Sequence, residues 1–421
     1  MTYLLDTVYN QGESQKKGTV SFMKKRINVN WIFLGCWFTY LTAYLCRVNF
    51  SSAMQTLSVE RSLTSAQLGV VGAVFYGVYA CGQLINGYIG DRVRANRYIL
   101  LALCGTLLCN VGMAIVNSFS AMVLLWGING IFQSMFWSTI IRALAQNTKP
   151  EKRANVSMGI SLAMPVAYIV SWGLLGQCLQ GMPSKWYFGI PSVVSLLMIA
   201  VWLFLSRHYS FELTEDNKSK AGIKDTIRFL CTEKLHWMVL VCICHGLIKE
   251  GAAYWTPLLV ARMDGLGTIS PYLLASVLPV ANFIGIIASR ALLGRGKGDP
   301  FAILTCVFIG IILLCAGLAL CSAGLLIVGL IALVSGLCYA NNTLLMSFIP
   351  MQYTEKNMVA SIIGVFDFAS YAGASLSTYV LGRVLESAGF APLPFIWMAA
   401  AALACLIAAS VLRLRQRGLR A

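Results

Sequence analysis

Charged side chains are what this sequence has least of: 11% of its 421 residues are Asp, Glu, Lys or Arg, against roughly a quarter in a soluble domain. Hydrophobic residues make up 58% and the mean hydropathy is +0.73, which excludes a soluble enzyme, a disordered scaffold and a disulfide-stapled secreted domain. Histidine is scarcer still. Of three, His208 and His236 stand at loop edges and His245 is alone in an apolar run, so no pair has metal-ligand spacing and no enzymatic chemistry is expected. The 14 cysteines fall almost entirely in apolar runs, Cys36, Cys46 and Cys104 among them, and read as reduced, buried filler. Cys242-x-Cys244 has no second pair at zinc spacing, so neither metal nor cofactor is expected. A G-x-x-x-x-G-K-[ST] segment is missing, which argues against ATP-driven pumping. The first 28 residues carry Lys16, Lys17, Lys24, Lys25 and Arg26 without an apolar core or cleavage site, so no cleaved signal peptide is expected.

What the chain has in abundance is long apolar runs. A bilayer core of about 30 Å takes about 20 residues of helix. Twelve runs qualify, near 30–52, 66–90, 97–116, 120–144, 155–178, 187–206, 236–261, 271–292, 301–320, 323–347, 358–383 and 392–412. The expected fold is therefore an all-α membrane protein of twelve transmembrane helices in two pseudo-symmetric six-helix bundles. The expected organisation is a cytoplasmic segment 1–28, a bundle 29–206, a polar cytoplasmic loop 207–235, a second bundle 236–412 and a cytoplasmic tail 413–421. A net charge of +16 is also a mark of nucleic-acid binders, but here the cations cluster in the short loops. With both termini in the cytoplasm, 26 of the 32 Lys and Arg fall inside, the bias that sets orientation in a cytoplasmic (inner or plasma) membrane.

The halves share sequence features. Glu151-Lys152 and Ser157 recur as Glu355-Lys356 and Ser361, 204 residues later, and the intramembrane cations Arg47 and Lys249 are 202 apart. A charge at the bilayer centre costs roughly 2.5–3.5 kcal/mol on insertion scales, so such residues mark a cavity or an internal ion pair. Four occur: Arg47, Lys249, Glu250 and Asp367, summing to zero. Tyr40, Tyr44 and Arg47 stand at i, i+4 and i+7, one helical face carrying two phenols and a guanidinium, which suits an anionic solute. Tyr76, Tyr79 and Gln83, then Asn129, Gln133 and Trp137, then Asn341 and Asn342 add polar positions whose alternative role is helix-helix hydrogen bonding.

Two resemblances add to this reading. Gly87-Tyr-Ile-Gly-Asp91-Arg92-Val-Arg94-Ala-Asn-Arg97 is similar to the signature loop of the major facilitator superfamily, where Gly87, Asp91, Arg92 and Arg97 would form a gating turn. Tyr44-Leu-Cys-Arg47-Val-Asn49-Phe50, Gln67-Leu68-Gly69, Phe75-Tyr76-Gly77, Asn129-Gly130-Ile-Phe-Gln133 with Trp137, and Gly251 with Trp255-Thr256-Pro257 resemble its organophosphate:phosphate antiporter branch. That branch includes glycerol-3-phosphate and hexose-phosphate transporters.

The resemblance implies a phosphoryl clamp at Arg47 and Lys249, with Tyr40, Tyr44 and Tyr79 as site tyrosines. The chain departs from the branch where Gln83 replaces a lysine, where Met164 and Pro165 occupy the region of a histidine, and in the acids Glu250 and Asp367. The expectation is a secondary active transporter moving a small organic anion by alternating access in exchange for phosphate. Proton-coupled symport of a sugar acid or zwitterion, with Glu250 or Asp367 loading the proton, is the alternative, and a transporter-like solute sensor is a third reading. Substrate contacts are expected from Arg47, Lys249, Tyr40, Tyr44, Tyr79, Gln83, Gln133 and Trp137. The partners are a small anion, inorganic phosphate or protons, and the lipid bilayer, with no nucleic acid and a monomeric state. Pro165, Pro257 and Pro279, inside spans, are candidate gating bends.

Overall fold

A computed structural model describes residues 29–90, 93–146, 148, 156, 159–208, 223–263, 266, 268–293, 299–353, 356 and 358–416. The N-terminal half consists of α1 (Val29–Glu60), α2 (Ser65–Gly90), α3 (Ala95–Ile115), α4 (Phe119–Gln133), α5 (Phe136–Gln146), α6 (Ala163–Tyr168), a π-helical turn Ile169–Leu175, α7 (Gly176–Cys178) and α8 (Lys185–His208). After α9 (Ile223–Thr232), the second half runs through α10 (His236–Ala261), α11 (Pro271–Ala275), α12 (Val277–Leu293), α13 (Pro300–Leu320) and α14 (Gly324–Thr343). It continues with a π-helical turn Leu344–Phe348, α15 (Ile349–Met351), α16 (Val359–Ala388) and α17 (Leu393–Gln416). Collinear pieces such as α4 with α5, or α11 with α12, form single rods, giving twelve spanning rods in two groups of six.

Eleven of these rods are long and apolar enough to cross a bilayer. The twelfth, α16, has the length, at 30 residues, but carries Asp367, Ser370, Ser375, Ser377, Thr378 and Arg383 along its course. Its polar residues are tolerated because it runs through the protein interior, packed on α2 of the other half and on α10. Leucines facing outward, such as Leu108, Leu124, Leu197 and Leu406, are exposed, the arrangement expected where lipid is the solvent. The chain is a multi-pass membrane protein.

Two features differ from the sequence reading. The stretch 207–235, expected as a polar loop, contains the amphipathic α9, which buries Thr226 and Leu230 while exposing Lys224, Asp225 and Arg228. Its ring of Phe229 meets Tyr353 edge-on at 5.5 Å, and Glu233, just past the helix, pairs with Lys356. Of the expected proline bends, Pro257 lies inside the continuous α10, whereas Pro165 and Pro279 sit in the first turns of α6 and α12, where the missing N–H costs little. Of the repeat residues, Glu151, Lys152, Ser157 and Glu355 lie outside the described residues.

Among the described residues, every hydrogen bond joining the two halves lies at the level of Tyr76 and Tyr339 or toward the end where α1, α10 and α16 terminate. Tyr254 donates to Leu68 O at 2.7 Å, Arg262 to Ser65 Oγ at 3.1 Å, and Ser375 to Ala73 O at 2.8 Å. Glu386 accepts from the N–H of Ala66 at 2.9 Å, capping α2 from the opposite half. Gly69 and Gly382 allow α2 and α16 to touch backbone to backbone there. One end of the molecule is therefore closed.

Candidate functional site

The first half positions Arg47 by committing its neighbours to helix-helix bonds. Asn49 donates to Asn110 Oδ1 at 2.7 Å and to Tyr187 O at 3.2 Å. Asn110 and Asn129 both donate to Cys46 O, and Gln133 donates to Ala43 O at 2.9 Å. These amides fasten α1 to α3, α4 and α8 on both sides of Arg47, fixing the guanidinium toward the other half. In the second half Ser377 donates to Leu247 O at 2.7 Å, and Gly246 and Gly373 admit close contact of α10 with α16. That contact sets Lys249 and Glu250.

The two halves meet at one carboxylate. Glu250 Oε1 lies 3.1 Å from Lys249 Nζ, and its Oε2 lies 3.9 Å from Arg47 Nη2 while accepting from Tyr76 OH at 3.1 Å. All three charges are buried, at 6% exposure for Arg47 and Lys249 and 3% for Glu250. Lys249 also donates to Asn342 Oδ1 at 3.2 Å.

Arg47 sits in a cage of rings. Its guanidinium carbon is 4.7 Å from the centroid of Tyr79, 5.1 Å from Tyr371, 5.2 Å from Tyr44, 5.4 Å from Tyr76 and 5.5 Å from Phe75. Lys249 lies 5.6 Å from the Tyr371 ring and 5.7 Å from Tyr339. Rings at these distances stabilise a cation in a dry site without neutralising it, leaving it available to an anion. The Nε of Arg47 is buried and without a hydrogen-bond partner, so one donor of its fork is unspent.

Asp367 differs from Glu250. It is half-buried, forms no hydrogen bond or salt bridge among the described residues, and feels the charges of Lys249, Arg47 and Glu250. It is thus an acid close to those three charges that is not fully enclosed.

Of the residues expected in the site, Arg47, Lys249, Glu250, Tyr44 and Tyr79 are brought together, and Asp367 borders them. Tyr40 packs edge-on to Tyr44 at 5.0 Å and against Trp137 at 5.2 Å, an outer layer behind Tyr44. Gln83 donates to Tyr79 OH at 2.6 Å and acts on the cage through that ring. Gln133 is tied to the backbone of α1. In the loop motif Gly87 lies on α2 and Arg97 is exposed on α3, while Asp91 and Arg92 lie outside the described residues. The sequence reading missed Tyr371, one turn from Asp367 on α16, and Tyr339, one turn before Asn342. Spacing at i+4 and at i+3 from a polar residue was the available signal.

A small carboxylate- or phosphate-sized group is thus matched by two buried cations contributed by opposite halves and by phenol hydroxyls around them. Comparisons with known proteins agree with such a carrier. The chain is 21% identical over 409 residues to the "Probable hexose phosphate transport protein" of Chlamydia trachomatis, covering 89% of each chain. It is 22% identical over 382 residues to the "Membrane sensor protein UhpC" of Salmonella typhimurium, covering 84% of this chain and 85% of that one. The crystal structure of the nucleoside transporter NupG superposes with a TM-score of 0.72 at 13% identity, over 92% of this chain and 99% of that one, which shows a shared fold. The profile of the Major Facilitator Superfamily matches residues 36–378, and the chain belongs to that superfamily, as a transporter and not an enzyme.

Proposed function

We propose that this chain carries a small organic anion of the organophosphate class across the cytoplasmic membrane, by alternating access, with phosphate as an exchange partner. The observation that carries the reading is the meeting of Arg47 and Lys249, from opposite halves, at a single carboxylate. An anion held between them ties the halves together, so loading the site favours the occluded state through which the carrier reorients. The relatives named for hexose phosphate support the solute class.

The five rings about Arg47 suit a solute with a compact anionic head and a hydroxylated body, because phenols offer both hydrogen bonds and apolar faces. The closed end carries the loops expected outside by the Lys and Arg bias, so the opposite end faces the cytoplasm with both termini. The whole site is built within one chain, which is consistent with work as a monomer. A second reading, proton-coupled uptake of a carboxylate or zwitterion, is favoured by Asp367, a half-buried intramembrane acid without a hydrogen-bond or salt-bridge partner among the described residues.

Counterflow in proteoliposomes tests both. Vesicles preloaded with inorganic phosphate should accumulate labelled glycerol 3-phosphate independently of the proton gradient, whereas dependence on that gradient supports the second reading. Arg47→Ala should reduce uptake at least about thirtyfold, given that truncating a buried charge partner costs 2–5 kcal/mol or more in binding. Uptake left intact by Arg47→Ala refutes the site. Binding without any flux identifies a sensor, as the name of the Salmonella relative describes that protein.

A further inference from the structure

We infer that Glu250 is a built-in counter-anion that lets the empty carrier reorient, so that this chain performs net transport and is not restricted to exchange. The inference rests on the alternating-access reading but not on the identity of the solute. Its basis is the geometry of one carboxylate that serves both halves.

Two cations facing one another across the interface, Arg47 on α1 and Lys249 on α10, have to lose cavity water whenever the halves close on the site. Unpaired, they repel and resist desolvation, and the carrier can close only when a solute anion is loaded. That is the electrostatic origin of obligatory exchange. In this chain the residue after Lys249 supplies the anion: Glu250 spans Lys249 at 3.1 Å and Arg47 at 3.9 Å, and Tyr76 of the first half donates to it at 3.1 Å. The carboxylate is nine-tenths buried or more and bonded to both halves, so it performs for the closing interface the neutralisation a loaded solute would perform.

The two cations are not equally committed. Lys249 is held by Glu250 at hydrogen-bonding distance and by Asn342 at 3.2 Å, whereas Arg47 keeps its Nε unspent and stands 3.9 Å from the carboxylate. A solute anion therefore replaces Glu250 at Arg47 first and leaves it on Lys249. The remaining groups that face Glu250 are Tyr168, Tyr339 and Tyr371, all neutral phenols, and the acid Asp367. None of them is a third cation that would undo the balance.

The experiment compares two fluxes of labelled glycerol 3-phosphate from proteoliposomes holding the full-length protein: into buffer without solute, and into buffer with unlabelled solute. Wild type should show net efflux within about tenfold of exchange, while Glu250→Gln should lower the ratio of net to exchange flux by about tenfold or more, the effect of one uncompensated buried charge. Glu250→Asp, which keeps the charge, should retain a ratio nearer wild type. Exchange without net efflux in wild type, or an unchanged ratio in Glu250→Gln, overturns the inference.

If this solute is not carried, the solute reading of the proposed function fails separately, and amide exchange on the solute-free protein decides. The closed-end amides of residues 64–72 should open in wild type and exchange about tenfold more slowly in Glu250→Gln. Equal rates overturn the inference by that route.

Discussion

Lys249 and Glu250 are adjacent in sequence, yet each needs the other for a different reason. The lysine needs a counter-charge at a depth where water is scarce, and the glutamate needs donors for both oxygens, which Lys249 and Tyr76 supply. Removing one partner strands the other, at a cost of about 3–5 kcal/mol, while removing both is close to neutral. Lys249→Gln should therefore sharply lower folded yield and melting temperature in detergent. The Lys249→Gln/Glu250→Gln double variant should recover only part of the stability, because Arg47 still loses its counter-charge, and should not recover transport. Thermal unfolding followed by size-exclusion fluorescence reads the first effect and proteoliposome flux the second.

At this scale the sequence was informative about charges and poor about rings. Arg47, Lys249, Glu250 and Asp367 stand out because a charge in an apolar run is rare. Tyr371 and Tyr339 do not, because tyrosine is ordinary in membrane helices and only the crossing of α16 and α14 aims them at a cation. Gln133 illustrates the converse. Its amide reads as a solute ligand in sequence, and in the structure one of its N–H groups is given to Ala43 O, an orientation that depends on helix rotation, which spacing alone does not fix.

Among the helices, α10 and α16 set Lys249, Glu250, Tyr371 and Asp367, and they approach closely at glycines. A Cβ on Gly246 would overlap the carbonyl of Ser370, and one on Gly373 would overlap that of Ile243. Gly246→Ala must push α16 away and with it Tyr371 and Asp367. It should lower both melting temperature and flux, whereas Gly317→Ala on α13, where a Cβ meets no atom within 4 Å, should leave both near wild type. Parallel measurement of melting temperature and initial uptake rate checks the pair.

The twelve rods were readable from the length of apolar runs, but their interruptions were not. The π-helical turns begin directly after Tyr168 and directly after Thr343, the first of them four residues past Pro165 and containing Gly173. A π turn shifts the register of side chains by a fraction of a turn, and such turns occur often at functional sites. Here the first follows directly on Tyr168, a neighbour of the Tyr44 ring at 6.0 Å. The helix α9 escaped because ten residues of mixed polarity inside a charged stretch carry a moment but little hydrophobicity, and its fixation depends on the distant Tyr353 and Lys356.

Across the whole molecule, the closed end is held by polar contacts between halves that differ in their sensitivity to pH. Glu386 accepts the Ala66 N–H and a Thr64 side-chain bond, with Arg383 nearby, and these donors hold its carboxyl below the usual glutamate range. A group with a lowered pKa contributes to the closed form above its ordinary value of about 4.3, and that contribution disappears as pH falls through the lowered value. Acidification into that window should loosen the closed end, and Glu386→Gln should weaken the latch at neutral pH. Amide exchange at residues 64–70, corrected for intrinsic chemistry, should rise in the variant at neutral pH, and the wild type should approach it only on acidification. The Arg262–Ser65 contact at 3.1 Å retains its charge over this range and should persist.

The carboxylate already seated between the two cations also sets how this protein will behave when ligands are sought for it. A compound that enters the site exchanges one ionic partner for another, so its heat-stabilising effect reports a difference and not a whole interaction. Melting-point screens will therefore rank true substrates low. The compounds that raise the melting point most will be those bringing a cation of their own to Asp367, and these will be inhibitors that freeze the carrier more often than solutes that pass through it.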